Sequence, residues 1–179
     1  MAIAYYDTSG LLTLWLIEHK LTEAEFTTCG GFKSKGNKKK GNCKDGQMIL
    51  SDHSKCYYNY HCNYKYWSLF EKSGIYNTQS LQKRTKCPFI GGENQLWRNQ
   101  MMGYAIKKKG QFKNVHFSVV HHSGNTDLSD TIQKYEELLI DKNLFSSYTL
   151  SDFIVAAKKV NDEDLNIWIT WYQDLYMIK

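Results

Sequence analysis

The sequence predicts a mixed α/β domain, because segments typical of strands and of helices follow one another along the chain. Two apolar stretches near residues 3–20 and 115–120 have the composition of strands, and apolar residues recur at helical spacing between and after them. The length of 179 residues favours one domain, or one domain with an insertion. Hydrophobic residues make up 42% of the chain, which is enough for a packed core and argues against global disorder.

Residues 2–21 are predicted to form a β-hairpin. Residues 3–6 are strand-like, residues 7–10 read Asp-Thr-Ser-Gly and form the turn, and residues 11–20 form a longer second strand. The second strand is almost continuously apolar up to Ile17, which indicates burial on both faces, as in a central strand. It then ends abruptly in Glu18, His19 and Lys20.

Residues 22–92 are predicted to be a cysteine-rich insertion. All five cysteines lie in this segment: Cys29, Cys43, Cys56, Cys62 and Cys87. Residues 33–44 are mostly Gly, Asn and Lys, a composition typical of an exposed loop. We therefore expect a bound ion, rather than a large apolar core, to hold this segment together.

The rest of the chain is predicted to be helical apart from one strand at residues 115–120. Helical spacing covers residues 93–110, 128–140 and 149–160, and Asn161 is the expected N-cap of a last helix with acids in its first turn. One domain, 1–179, is thus predicted to contain core strands at 2–21, the insertion at 22–92, a core helix and strand at 93–121, and C-terminal helices at 128–178.

Charge and hydropathy narrow the range of partners and locations. The net charge of +5 and the pI of about 8.8 are compatible with a polyanionic partner, although many proteins of that charge bind no nucleic acid. No apolar run approaches the roughly 18 residues that a membrane span needs, and the N-terminus lacks the basic region of a signal peptide. We expect a cytoplasmic protein without membrane contact, whose thiols stay reduced.

Glu18 and Lys20 lie two residues apart on the predicted strand, so their side chains point to the same face. Magnesium takes hard oxygen ligands, usually one or two carboxylates together with waters and substrate phosphate. A metal there would polarise a phosphodiester and lower the pKa of an attacking water, and Lys20 could hold that water and stabilise charge on the phosphate. Taken alone, the same pattern also arises where a strand emerges into solvent.

Several stretches resemble the PD-(D/E)XK nuclease superfamily, and within it a cysteine-containing group of restriction-endonuclease-like proteins. Residues 16–23, LIEHKLTE, look like the metal-binding strand of that group; residues 87–89, CPF, and 94–99, NQLWRN, look like its C-P-F and Q-L-x-R-N segments. The helix at residues 168–176 is similar to its C-terminal end. The resemblance implies a restriction-endonuclease-like central mixed sheet flanked by helices, in α-β-β-β-α-β order. It also implies magnesium-dependent cleavage of DNA, in which Glu18 binds the metal, Lys20 positions or activates water, and Gln95 assists.

The resemblance also implies a second carboxylate on the strand that pairs with the Glu18 strand. Asp7 is the obvious candidate, but a tight hairpin that pairs Tyr5 with Leu12 leaves Asp7 roughly 25 Å from Glu18 along the ladder. Two ligands of one magnesium ion must each lie about 2.1 Å from it. We therefore expect an N-terminally truncated chain whose first acid precedes Met1. A bulged or wide connection that returns Asp7 to the site is the alternative.

Two glutamines compete for a place beside the metal. Gln95 matches the resemblance, whereas Gln100 and Tyr104 fit the Q-x-x-x-Y spacing of RecB-like nucleases. The two glutamines lie about 140° apart around a helix, so both cannot face the site. Gln95 is favoured because Arg98 follows it by three on the same side and could touch a phosphate.

The cysteines are predicted to bind a structural metal, since an odd number of thiols in a reducing compartment is poorly explained by disulfides. Zinc and a [4Fe–4S] cluster each take four cysteine ligands, and both remain open, as does the choice among the five. His53 and His61 could replace one thiol. The alternative is five ordinary thiols, some of them buried as small apolar groups.

The predicted function is that of a magnesium-dependent DNA endonuclease of restriction type. DNA is the expected partner, and a homodimer stays open. Lysine runs at residues 38–40 and 107–109 could contact phosphates, and the tyrosine-rich residues 57–67 could stack on bases or pack around the cysteines. The alternatives are a non-catalytic nucleic-acid-binding module with a structural cysteine site, and an inert remnant of a nuclease.

Overall fold

A computed structural model describes residues 1–178 and contains a four-stranded mixed sheet flanked by helices. The strands are β1 (Ala2–Tyr6), β2 (Leu12–Lys20), β3 (Asn114–His121) and β4 (Ser146–Thr149), and they lie side by side in that order. β1 pairs antiparallel with β2, whereas β2, β3 and β4 run parallel to one another. The predicted α/β class with a restriction-endonuclease-like central mixed sheet is confirmed.

The N-terminal hairpin is confirmed, with a register one residue away from the predicted one. Tyr5 pairs with Thr13, not with Leu12, because the connection is closed by the Asp7 N–H donating to the Leu11 carbonyl at 3.0 Å. The main chain of Met1 exchanges hydrogen bonds of 2.8 and 2.9 Å with Ile17. Glu18 thus lies one position beyond the last hydrogen-bonded pair of β1 and β2.

β2 is a central strand that is buried on both faces, as its apolar sequence predicts. Leu14 and Leu16 point into the larger of two apolar cores, whereas Ile17 belongs to a smaller core on the opposite face. The larger core also takes Phe117 and Val119 from β3. Two layers of side chains therefore hold the strand that ends in Glu18 and Lys20.

Residues 22–92 form short helical segments rather than a long loop. They are α1 (Gly30–Lys33), α2 (Gly46–Ser51), α3 (Tyr57–Tyr60), α4 (Tyr66–Ser73) and α5 (Thr78–Gln82), with 3₁₀ turns at Lys40–Lys44 and His53–Lys55. The expectation of little apolar core here is wrong, because Trp67, Leu81 and Phe89 are almost completely buried and belong to the larger core. Aromatic residues interspersed with polar ones supply much of this core, so the sequence shows no continuous apolar run that would predict it. Whether the segment is an insertion stays a prediction.

Four longer helices complete the structure: α6 (Glu93–Lys108), α7 (Ser129–Glu136), α8 (Leu150–Lys158) and α9 (Glu163–Tyr176). All four correspond to predicted helices. The N-cap of α9 is Asp162 rather than Asn161, since the Asp162 carboxylate accepts the N–H of Leu165 at 2.9 Å. Within residues 1–178, none of the helices has the length and apolar character that crossing a membrane requires.

β4 was not expected from the sequence. Its four residues read Ser-Ser-Tyr-Thr and contain no apolar alternation that would predict a strand. The strand forms because β3 offers it a parallel edge, with Ser118 paired to Ser146 and His121 to Thr149.

Candidate active site

Two hydrogen-bond donors and one ammonium group converge on the carboxylate of Glu18 at the end of β2. Gln95 donates from Nε2 to Oε1 at 2.6 Å, and Asn99 donates from Nδ2 to Oε2 at 3.0 Å. The Lys20 ammonium lies 3.4 Å from Oε1. The Glu18 side chain keeps 23% of its surface exposed, so it faces these donors on one side and solvent on the other.

Two local periodicities bring these residues together. Glu18 and Lys20 share a face because side chains alternate along a strand, and Gln95 and Asn99 share a face because they lie one helical turn apart. Gly103 lies one turn further along α6, where a Cβ atom would stand only 3.2 Å from Val115 and 3.4 Å from Leu16. The small residue therefore lets α6 approach the sheet closely enough for both amides to reach Glu18.

The amide of Gln95 is held from both ends. Its Oε1 accepts the main-chain N–H of Thr27 at 2.8 Å, which leaves its NH₂ group to face Glu18. The structure thus brings together the three residues that the sequence predicts for the site, Glu18, Lys20 and Gln95.

Lys20 lies between two carboxylates and is only 5% exposed. Its Nζ is 3.7 Å from Glu23 and 5.5 Å from the centre of the Phe26 ring. Glu23 also accepts the N–H groups of Leu21 and Thr22 at 3.0 and 3.3 Å. Hydrogen bonds from main-chain N–H groups, chiefly that of Glu23 itself, lower the pKa of Glu23. The positive charge of Lys20 lowers it further.

Sequence reasoning missed Asn99 and Glu23. The four-residue spacing of Gln95 and Asn99 on a helix is a signal that could have identified Asn99. Glu23 follows Lys20 by three residues, but the main-chain path that returns its carboxylate to Lys20 is an irregular turn without a sequence pattern of its own.

His19 points to the opposite face of the sheet, as the alternation of the strand predicts. Its Nε2 lies 3.1 Å from the Tyr172 hydroxyl on α9. Burial lowers the pKa of His19, and the N-terminal ammonium lowers it further. His19 is therefore part of the packing between β2 and α9, outside the Glu18 site.

Asp7 lies at the other end of the hairpin and organises its turn. Its carboxylate accepts the N–H groups of Ser9 and Leu11, the Thr13 hydroxyl and the Asn114 amide at 2.9–3.2 Å. These donors, that of Leu11 first, lower the pKa of Asp7. The alternative in which Asp7 returns to the Glu18 site is wrong.

Other polar residues of α6 contact different parts of the molecule. Gln100 donates to the Leu144 carbonyl at 3.2 Å and Tyr104 donates to the Lys72 carbonyl at 2.7 Å, so neither contacts Glu18. Arg98 donates to the Tyr66 hydroxyl at 3.2 Å and lies over the rings of Tyr58 and Tyr66. Arg98 therefore packs against an aromatic cluster and does not lie beside Gln95.

The donor chemistry around Glu18 is compatible with magnesium. Glu18 supplies one carboxylate, and its neighbours are N–H donors that fix its oxygens without competing as ligands. Among residues 1–178, no three His, Cys, Asp or Glu side chains are grouped as a protein cage for an ion would require. Magnesium needs no such cage, since it is commonly bound through one or two carboxylates with waters and substrate phosphates.

Four of the five cysteines lie in a second region, buried among the short helices. Cys29, Cys43, Cys56 and Cys87 are all buried in the larger core, and Cys62 is half-buried at its edge. Burial raises the pKa of Cys43 to about 11 and also raises those of Cys29 and Cys87. Charge repulsion from neighbouring cysteines adds to each of these increases.

The two histidines that could replace a thiol have other contacts. His53 lies 2.8 Å from Glu71 and stacks on Trp67 with ring centres 4.2 Å apart. His61 stacks on Tyr57 at 4.6 Å. The four thiols are therefore better candidates for metal ligands than these two histidines.

Comparison with known proteins identifies the class to which this fold and site belong. Residues 51–170 match the model of the PD-(D/E)XK nuclease superfamily. This stretch is more than half of the chain, and the chain belongs to that superfamily. It includes Gln95 and Asn99, whereas Glu18 and Lys20 precede it. No curated protein and no solved structure matches the chain.

Proposed function

We propose that the chain is a magnesium-dependent endonuclease of restriction type that hydrolyses phosphodiester bonds in DNA. The observation that carries the proposal is the convergence of Lys20, Gln95 and Asn99 on the Glu18 carboxylate. Membership of a nuclease superfamily supports a nucleic acid as the substrate.

Glu18 would hold the magnesium ion through the carboxylate oxygens that face solvent. When bound, the ion would polarise the scissile phosphodiester and lower the pKa of an attacking water. Gln95 and Asn99 each hold one Glu18 oxygen, and such supporting hydrogen bonds fix the orientation of a ligand before the metal binds.

Lys20 would stabilise negative charge that develops on the phosphate. Its ammonium is almost completely buried and lies between Glu18 and Glu23, so it is held in place and weakly hydrated. A preorganised cation in such a site stabilises charge more strongly than one in water.

An open depression beside this strand end gives room for a phosphate backbone. It has a volume of about 360 Å³, and its lining includes Leu21, Thr22, His122 and Asn125. Glu18 and Asn99 line a separate, smaller depression of about 120 Å³. Asn125 donates to the Glu23 carbonyl at 2.8 Å, which ties the loop after β3 to the segment after Lys20. The carboxyl ends of parallel strands are a common location of ligand sites in α/β proteins.

The proposal is tested by cleavage of circular and linear duplex DNA, and of single strands, in magnesium, manganese or EDTA. Wild-type protein should cut in the presence of a divalent ion and not in EDTA. Glu18→Gln should reduce the rate by more than about 100-fold, since it removes the ligand itself. Glu25→Gln is the matched control, because Glu25 is exposed and has no hydrogen bond or ion pair within residues 1–178.

Two results would contradict the proposal. One is cleavage by Glu18→Gln at the wild-type rate. The other is salt-dependent DNA binding by the wild-type protein without cleavage in either metal, which would favour the non-catalytic binding module.

A further inference from the structure

We propose that Cys29, Cys43, Cys56 and Cys87 form a tetrathiolate metal site that takes a zinc ion or a [4Fe–4S] cluster, separate from the Glu18 site. Both are soft centres that bind four cysteine sulfurs, and neither is implied by the hydrolytic reaction proposed for Glu18.

The main chain joins the segments that carry these cysteines. The Cys87 N–H donates to the Cys43 carbonyl at 3.0 Å, and the Cys29 N–H donates to the Ile90 carbonyl at 3.2 Å. The Asn42 amide, next to Cys43, donates to the carbonyl of Lys55, next to Cys56, at 3.4 Å. Four segments that are distant in sequence are thus linked to one another by hydrogen bonds that do not involve the thiols.

Gly46 shows how closely two of these segments approach. A Cβ atom at this position would lie only 2.6 Å from the Lys86 carbonyl oxygen, so no larger residue fits without movement of the main chain. The chain after Cys43 is therefore pressed against the chain before Cys87. This close approach holds the segments that carry Cys43 and Cys87 side by side.

The surroundings suit a negatively charged thiolate centre. The Cys29 sulfur accepts the N–H of Phe32 at 3.4 Å. Lysines adjoin three of the four cysteines in sequence: Lys44, Lys55 and Lys86. Four thiolates around a divalent ion carry a net charge of −2, which N–H donors and nearby cations stabilise.

Metal binding would require the four sulfurs to move toward one another. Within residues 1–178, no three potential ligands are grouped closely enough to hold a metal ion. Zinc needs each sulfur at about 2.3 Å. Rotation about χ1 moves a sulfur without moving the main chain, so the fixed segments can close on a metal while their hydrogen bonds persist. Deprotonation of the thiols accompanies binding, and the released protons pass to solvent.

The test measures the metal content of the full chain, purified once in air and once without oxygen. We expect either about one zinc per chain, or about four irons with the broad visible absorption of an iron–sulfur cluster. Single Cys→Ser changes at the four positions should each lower the metal content to less than half. Cys62→Ser is the matched control and should leave it unchanged.

A second measurement uses wild-type protein, so it tests the proposal even if the variants fail to fold. In wild-type protein, a thiol reagent should react quickly with Cys62 alone, and the other four thiols should become reactive as a chelator removes the metal. Metal-free protein from both preparations that also fails to take up cobalt or zinc would overturn the proposal. So would a metal content that falls equally in Cys62→Ser. Neither result bears on DNA cleavage at Glu18.

Discussion

Asn99 on α6 and Glu18 on β2 are joined by a hydrogen bond of 3.0 Å between residues 81 positions apart in the chain. Gln95 and Asn99 each donate a hydrogen bond to one of the two Glu18 carboxylate oxygens. The helix therefore sets the orientation of the only carboxylate that the proposed mechanism assigns to the metal.

Asn99→Leu tests this dependence. The side chain keeps a similar size but loses its donor, so one Glu18 oxygen is no longer held. We expect about a 10- to 100-fold loss of cleavage rate and a higher magnesium requirement, as is typical of residues that support metal ligands. Titration of the rate with magnesium measures both. Asn166→Leu, an exposed position on α9, controls for the chemical change, and an unaltered magnesium requirement in Asn99→Leu would contradict the assignment.

Lys20→Met separates charge from packing. The methionine retains an apolar chain in a site that is only 5% exposed but removes the ammonium between Glu18 and Glu23. Removal of one partner from a fully buried ion pair costs about 3–5 kcal/mol, because the other charge is left unpaired. Glu18 and Glu23 keep contact with solvent, and Glu18 keeps two amide donors, so the free energy of unfolding measured in urea should fall by less than that. DNA cleavage should fall by more than about 100-fold. Lys158→Met on α8 should change neither quantity, and full activity in Lys20→Met would remove Lys20 from the mechanism.

Asp7→Asn should lower the thermal stability without affecting catalysis. The carboxylate accepts four hydrogen bonds in the turn, and an amide cannot accept all of them. The lowered pKa of Asp7 means that its contribution is complete above the ordinary value of 3.8 and is lost as pH falls through the folded-state pKa. The melting temperatures of wild type and variant should therefore differ at pH 7 and converge in strong acid. An Asp7→Asn protein that folds normally but needs more magnesium would show that Asp7 acts on the metal after all.

His19 should make stability depend on pH near neutrality. Its pKa is lowered below 6.5 mainly by burial, so the unfolded chain binds a proton more readily than the folded protein does. Stability is complete above 6.5 and should fall as pH drops through the folded-state pKa. Denaturation at a series of pH values should show a smaller loss for His19→Gln than for wild type. Equal slopes would mean that His19 is not desolvated.

Regular periodicities made part of the structure predictable. Glu18 and Lys20 were placed on one face by the alternation of a strand, and α6 by the spacing of its apolar residues. The register of the hairpin was missed by one residue because it depends on the hydrogen bond between Asp7 and Leu11. β4 was missed because it is polar and forms only against β3.

The kind of site could be predicted from the sequence, but the full set of residues that form it could not. The approach of α6 to β2 is a tertiary contact, and only that contact shows that Asn99 reaches Glu18 and that Arg98 does not. The convergence of four cysteines likewise depends on how irregular segments cross, which no periodic pattern encodes.

The parallel pairing of β2 with β3 has a consequence for how the protein folds. Leu14 and Val115 are partners in this ladder although about a hundred residues separate them, whereas the pairing of β1 with β2 is local in sequence. Closing so long a loop costs chain entropy before any contact compensates for it, and domains dominated by such pairings fold slowly. The Glu18 cluster joins β2 to α6, and α6 lies within that loop shortly before β3. The cluster is therefore expected to assemble late, after the segment between the two strands has become compact.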